Sequence, residues 1–327
     1  MRIDRAGHSG QADPDPASDR RRNGFSMRTR SGTRPLRSLT RLGRFRPDLR
    51  LGGGPSLYDG SAADGPPRMV GTLAGVVDEP APGTGRPAAD RLVVRHTVRT
   101  STSDYLLLLN GPGWLGHRRL GAALRDAVAE LRAIDLTYSP ARPESLVSRL
   151  RRGELTADAY PPLADIVARC DAMRAATDGW FDAWAVPGGF DPGGLLTGWA
   201  IERAAARLRA AGIENYAVVS GADLVVRGQA PHGGPWRIAV HHPTDGLRAP
   251  VMLELTAGAV GTSGVGGRRD HVVDPRTGQP ARRLLAATVT GPDLAVADGY
   301  ATALFAAGPT GLAWFPTADG YQALFAD

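Results

Sequence analysis

The stretch from Asp191 to Gly212, DPGGLLTGWAIERAAARLRAAG, constrains this chain most. A proline and two glycines open it, which favours a tight turn and lets a ligand approach bare backbone. The turn runs straight into a helix. Thr197 stands as its cap, Trp199, Ile201, Ala204, Ala205, Leu208 and Ala211 form an apolar stripe, and Gly212 stops it. A glycine turn at a helix start presents unpaired N–H groups and the positive end of the helix dipole, which suits a phosphate. A loop-to-helix junction with no ligand fits the same residues, so the rest of the chain has to decide.

Charge divides the chain in two. Residues 1–90 hold 15 of its 39 basic residues and 10 of its 33 acids, so nearly all of the net +6 lies there. The remainder is close to neutral, whereas a fold that binds nucleic acid concentrates basic charge on itself; nucleic acid is not expected as a partner. The first 90 residues are dominated by Arg, Pro, Gly, Ser and Asp without a sustained apolar period, and they read as a disordered basic tail. Residues 91–327 read as one catalytic domain. No apolar run approaches the ~18 residues that suggest a membrane helix, so no stable membrane insertion is expected. No signal peptide or lipid-anchor pattern stands out, and the expected location is cytoplasmic. A single cysteine, Cys170 in IVARCDAMRAA, excludes an internal disulfide and a thiolate zinc cluster, and its helical setting suits a buried, inert thiol.

Within 91–327, Leu92–Val98 and Tyr105–Leu109 read as strands, and Arg119–Ile134 as an amphipathic helix with Leu120, Leu124, Val128 and Leu131 on one face. Pro162–Thr177 reads as a second helix ending before Asp178-Gly179. After the central helix come strands at Tyr216–Ser220, Leu224–Arg227, Trp236–Val240 and Val251–Leu255, then a Gly-rich run, GAVGTSGVGG. A strand at His271–Val273 leads to the turn DPRTG, Ala286–Thr290 is a further strand, and Ala295–Ala307 the last long helix. Early helices with strands clustered in the middle predict an α+β fold, a mainly antiparallel sheet flanked by helices.

Asp298 and Thr302 stand four apart in ADGYATALFAAG and therefore project from one helix face. A carboxylate and a hydroxyl at that spacing suit a hard cation such as Mg²⁺, which takes few protein ligands and completes its octahedron with water and substrate oxygens. A local cap with a packed threonine fits the same spacing. His271, at a strand end beside a turn, suits a base near neutral pH or a structural hydrogen-bonding role. Trp180-Phe181-Asp182 suits the wall of a pocket for a planar ligand, or plain core packing. Asp223, in the turn Gly221-Ala222-Asp223, is an acid able to face a site, a weak signal alone. His241-His242 point to opposite faces of a strand and read as structural.

Taken together and in order, these pieces resemble the ApbE family of FAD:protein FMN transferases. The family pattern DxGG-x-x-KG-[YW]-A-V-[DE] is matched by Asp191–Glu202, an NAGGD-like turn loosely by Ser220–Asp223, and an ATSG element by Gly261–Gly264. The pattern H-[IV]-[IV]-DP-x-TG falls on His271–Gly278 and ADxxAT on Ala297–Thr302, while Ser139–Arg149 and Gly179–Asp182 resemble two upstream elements. The resemblance implies an enzyme that binds FAD and Mg²⁺, cuts the pyrophosphate, releases AMP and attaches FMN to a Ser or Thr hydroxyl of a partner flavoprotein with an FMN-binding domain. It implies metal ligation by the Gly194 carbonyl, Asp298 and Thr302. The implied FAD contacts are Trp180, Phe181, Asp182, Asp191, Thr197 and the backbone near Val273, with His271 as the base. Thr197 stands where the family has lysine, Ala141 where it has a flavin-contacting tyrosine, and Ala222 where it has a glycine; Met69–Thr72 is the candidate for its N-terminal MGT element. These departures keep two alternatives in view: a protein that stores FAD, and a pyrophosphatase that uses water on the same metal site.

Overall fold

A computed structural model describes residues 28–29, 74–77, 91–265 and 272–327. In chain order its strands and helices are β1 (Arg28–Thr29), β2 (Ala74–Val77), β3 (Arg91–Arg99), β4 (Asp104–Pro112), α1 (Gly116–Tyr138), α2 (Leu146–Arg151), α3 (Pro161–Ala176) and α4 (Gly193–Ala210). There follow β5 (Asn215–Ser220), β6 (Asp223–Arg227), β7 (Trp236–Val240), β8 (Val251–Leu255), β9 (Ala257–Gly264), β10 (Val273–Asp274), β11 (Gln279–Pro280), β12 (Ala286–Gly291), α5 (Leu294–Ala307) and β13 (Gln322–Ala326). Helices and antiparallel strands segregate as the α+β reading expects.

Seven strands form the central sheet in the order β13-β12-β9-β6-β5-β4-β3, antiparallel at every pairing. Period-two alternation sorts its side chains into two cores. Leu107, Leu109, Tyr216, Val218, Val225, Ala259, Ala287 and Val289 join the helices in the larger one. Leu108, Ala217, Leu224, Val226 and Val260 meet Trp236, Ile238, Leu253 and Leu255 of the β7–β8 hairpin in the smaller one. The sheet is thus covered by helices on one face and by a second sheet, β1-β8-β7-β2, on the other. Trp236, fully buried in that smaller core, donates its indole N–H to the Arg227 carbonyl at 2.9 Å.

Two short strands fall within residues 1–90: Ala74–Val77 pairs with Arg237–Val240, and Arg28–Thr29 with Leu253 and Glu254. Each lengthens the small sheet at an edge, where a hydrogen-bonding partner is needed more than an apolar period. Thr197 is not the cap of the central helix, which begins a turn earlier with Pro192 as N-cap; Thr197 lies inside it, half-buried. Most of the Gly-rich run is strand: Ala257–Gly264 is β9, a central strand between β6 and β12.

Glycines decide how closely α4, α5 and β9 approach. A Cβ on Gly198 would lie 2.7 Å from the Leu294 carbonyl oxygen, and one on Gly261 2.7 Å from the Asp298 amide nitrogen. Backbone therefore meets backbone where any side chain would wedge the elements apart. Cys170 is buried in the larger core, and burial raises its thiol to about 12, as an inert thiol requires.

The contact predicts a sign reversal. Alanine is the better helix former by ~1 kcal/mol in a helix interior, yet Gly198→Ala is expected to lower stability by roughly 1–3 kcal/mol through overpacking against α5. Gly121→Ala in α1, whose Cβ would meet only the tip of the Arg125 side chain at 3.7 Å, is expected to be neutral or stabilising. Urea or thermal unfolding of the two variants side by side checks this.

Candidate functional site

The start of α4, the middle of α5 and the end of β9 converge on one small group of oxygens. The close contact at Gly194 makes this possible, since a Cβ there would sit 2.9 Å from Thr302 Oγ1 and 3.2 Å from the Phe181 ring. The Thr302 hydroxyl donates to the Gly194 carbonyl at 3.2 Å and lies 3.0 Å from Ser263 Oγ on β9. In an α-helix the amide of residue 198 is directed at the carbonyl of residue 194. Here the Gly198 N–H donates to Asp298 Oδ2 at 3.1 Å, so α5 engages both groups of that helical turn.

Two further contacts fix α5. Its first turn is capped by Asp293, whose carboxylate accepts the Val296 N–H at 3.1 Å, and Glu202 of α4 accepts the Leu294 N–H at 3.0 Å. Burial raises the Glu202 carboxyl above its ordinary range despite that hydrogen bond. Apart from Val296 and Thr302, every residue of α5 is buried.

Asp298 is 4% exposed. Burial, followed by the neighbouring carboxyl of Asp223, pushes its pKa well above the usual carboxylate range, and the Gly198 N–H opposes the shift. Asp223, at the start of β6, accepts the Thr262 N–H at 2.9 Å and is itself pushed up to about 7, chiefly by burial. A buried carboxyl and a half-buried one, beside two hydroxyls and a carbonyl, make an all-oxygen donor set among the described residues. Among the described residues no group of three or more His, Cys, Asp or Glu is placed to hold a metal. The donor set fits a hard divalent cation, which would relieve the repulsion between the two acids.

The neighbouring wall is built by the segment after α3. Asp178 and Gly179 both take positive φ, 51° and 76°, and turn the chain so that Trp180 and Phe181 pack inward. Thr177 Oγ1 accepts the Phe181 N–H at 3.0 Å. Asp182 pairs with Arg174 at 3.0 Å and accepts the Trp184 N–H at 2.8 Å. Asp191 accepts the Gly193 N–H at 2.9 Å, holding the turn that opens α4. Thr197 lies one helical turn past Gly194. Val273 belongs to the short β10–β11 hairpin, whose turn residue Arg276 reaches back over Trp180. Gly194, Asp298 and Thr302 are therefore brought together, with Phe181 against them, while Asp182 and Asp191 are engaged in local contacts. His271 lies outside the described residues, as does the Met69–Thr72 candidate.

The upstream Ser139–Arg149 segment is anchored rather than free. Asp135 accepts from the Ser101 hydroxyl at 2.5 Å and from Arg142 at 2.7 Å, and Ser101 Oγ is 2.8 Å from Ser139 Oγ. Burial opposes ionisation of Asp135, but these donors outweigh it and its pKa falls below the ordinary value. Ser263, Arg276 and Arg283 were not singled out by sequence. Ser263 carries a signal only through its strand register, two residues beyond Gly261, and the arginines carry none, because their partner is a distant ring.

The ApbE family model matches residues 186–325. A FAD:protein FMN transferase of Klebsiella pneumoniae is 37% identical over 122 residues, 34% of this chain and 35% of that one. One from Vibrio cholerae is 35% identical over 124 residues, 35% of this chain and 37% of that one. The match thus spans only about a third of the length of these curated relatives. In overall fold, the flavinyl transferase ApbE of Pseudomonas stutzeri superposes with a TM-score of 0.58 at 25% identity, covering 73% of this chain and 95% of that one. The ApbE protein of Thermotoga maritima gives 0.60 at 22% identity over 72% and 94%. The segment 186–325 thus resembles the ApbE family, and the fold in which it sits is that of solved ApbE proteins.

Proposed function

We propose that this chain is a Mg²⁺-dependent FAD:protein FMN transferase that moves FMN from FAD to a Ser or Thr hydroxyl of a flavoprotein acceptor and releases AMP. One observation carries the reading: the Asp298–Thr302 pair of α5 meets the Gly194 carbonyl at the glycine turn of α4. The names and folds of the relatives support it. Among the described residues, no helix is long and apolar enough to cross a membrane.

In this reading Gly194, Asp298 and Thr302 hold the cation. When bound, it spreads the negative charge that develops on the phosphate under attack. The chain's own residues do the remaining work. Phe181 packs against Gly194 and makes that side of the site apolar. Trp180, Asp182, Asp191 and Thr197, with the backbone near Val273, border the dinucleotide. His271 is assigned as the base that takes the proton of the acceptor hydroxyl as the hydroxyl oxygen attacks the FMN phosphorus and AMP departs.

Purified chain incubated with FAD, MgCl₂ and an acceptor domain separates the readings. Covalent FMN on the acceptor supports transfer. AMP with free FMN points to the pyrophosphatase, and intact bound FAD to storage, the reading that the neutral Thr197 favours. Asp298→Asn is expected to reduce covalent flavinylation at least ~100-fold, since it removes the one charged ligand. Retained turnover in that variant overturns the metal assignment.

The buried acids also set a pH dependence. Their pKa values are raised in the folded state, so the native protein holds more protons than the unfolded chain between the ordinary carboxylate value and the raised one. Unfolding free energy therefore falls as pH rises through that window, from about 4 to about 7 for Asp223. In EDTA the Tm is expected to drop from mildly acidic to neutral pH. MgCl₂ is expected to restore it, most strongly at the higher pH, with Asp298→Asn showing a weaker response; calorimetry in both buffers checks this.

A further inference from the structure

Trp180 is 7% exposed, so little of its ring is available to any ligand. Arg276 and Arg283 cover it. The Arg276 guanidinium carbon lies 4.1 Å from the ring centroid and that of Arg283 5.2 Å, both within cation–π range. The two arginine side chains remain about half exposed, at 55% and 49%. What faces solvent at this wall is therefore guanidinium rather than indole.

The pair is held from below. Asp274, 6% exposed, accepts the Arg276 backbone N–H at 2.9 Å through one carboxylate oxygen and faces Arg283 at 3.4 Å through the other. Arg276 has one further acidic neighbour, Asp178, at 3.8 Å and 78% exposed. Two cations thus face one buried carboxylate and one solvated one, which leaves donor capacity directed outward. A guanidinium stacked on an aromatic face keeps its in-plane N–H groups free for oxyanions, and the stacking restricts the side-chain freedom that binding would otherwise have to remove. The wall is contiguous with the oxygen cluster: Phe181, next in sequence to Trp180, packs on Gly194, whose carbonyl meets Thr302. Thr197, one helical turn past Gly194, brings no charge.

We infer that Arg276 and Arg283, stacked on Trp180, form the phosphate-gripping arm of the cleft and bind the pyrophosphate of the flavin dinucleotide. This rests on the transferase reading only in taking FAD as the ligand. The two arginines supply positive charge to a cleft whose central helix offers a neutral hydroxyl.

The test is equilibrium binding of FAD to the full chain, followed by flavin fluorescence across a salt series without any acceptor, so turnover plays no part. The double variant R276M/R283M keeps the apolar stems over Trp180 and removes the charge; R276K/R283K keeps the charge and loses the planar fork. Circular dichroism and thermal unfolding establish that both are folded. The Met pair is expected to weaken FAD binding at least about tenfold and to flatten its salt dependence, with the Lys pair retaining most of the affinity. Unchanged affinity in the Met pair overturns the inference and leaves the transferase reading standing. Equal losses in the Met and Lys pairs overturn it as well, because the arginines then act by shape and not by charge. Failure of the unaltered chain to bind FAD at all removes both.

Discussion

The structure depends on how closely one buried helix is allowed to lie against its neighbours. Gly194, Gly198 and Gly261 leave no side chain between α5 and the two elements that flank it. Because of that proximity, Asp298 reaches the amide of Gly198 and Thr302 reaches the carbonyl of Gly194. The contact is costly for a carboxyl group, since water is excluded and a second acid lies nearby. A fold seldom keeps two such groups together without a chemical reason, and a cation between them would favour the ionised form of each.

Much of this was legible in the sequence, for reasons that differ by element. α1 announces itself through the spacing of Leu120, Leu124, Val128 and Leu131. β7 and β8 begin and end at the residues that alternation and turn chemistry assign to them. Asp298 and Thr302 share a helix, so their spacing alone places them on one face. β9 escaped because AGAVGTSG is made of small residues, whose alternation carries almost no hydrophobic contrast; its glycines serve the approach of α5, which only the folded chain brings near. The start of α4 was misread by one turn, because Pro192 followed by Gly-Gly looks like a loop while Thr197 looks like a cap. Asp223 and Ser263 reach the site from β6 and β9, and no local spacing links either of them to α5.

The wall beside the site follows a different rule. Trp180 is placed by a turn with two consecutive positive φ angles, yet its ring lies beneath arginines contributed a hundred residues later. Local structure positions the aromatic surface, and distant chain determines its electrostatic character. Such an arrangement lets charge at the cleft vary without disturbing the helices that carry the oxygen cluster.

The near-total burial of α5 has a consequence for how this site can change. Slippage by a single residue would rotate Asp298 by ~100° away from Gly198 and carry Tyr300 off the aromatic rings of Trp314, Phe315 and Tyr321. The helix is effectively keyed in rotation, much as a shaft is keyed to its hub. Variation in such a protein is therefore confined to swapping individual side chains on a fixed frame, and insertions or deletions are tolerated only outside it.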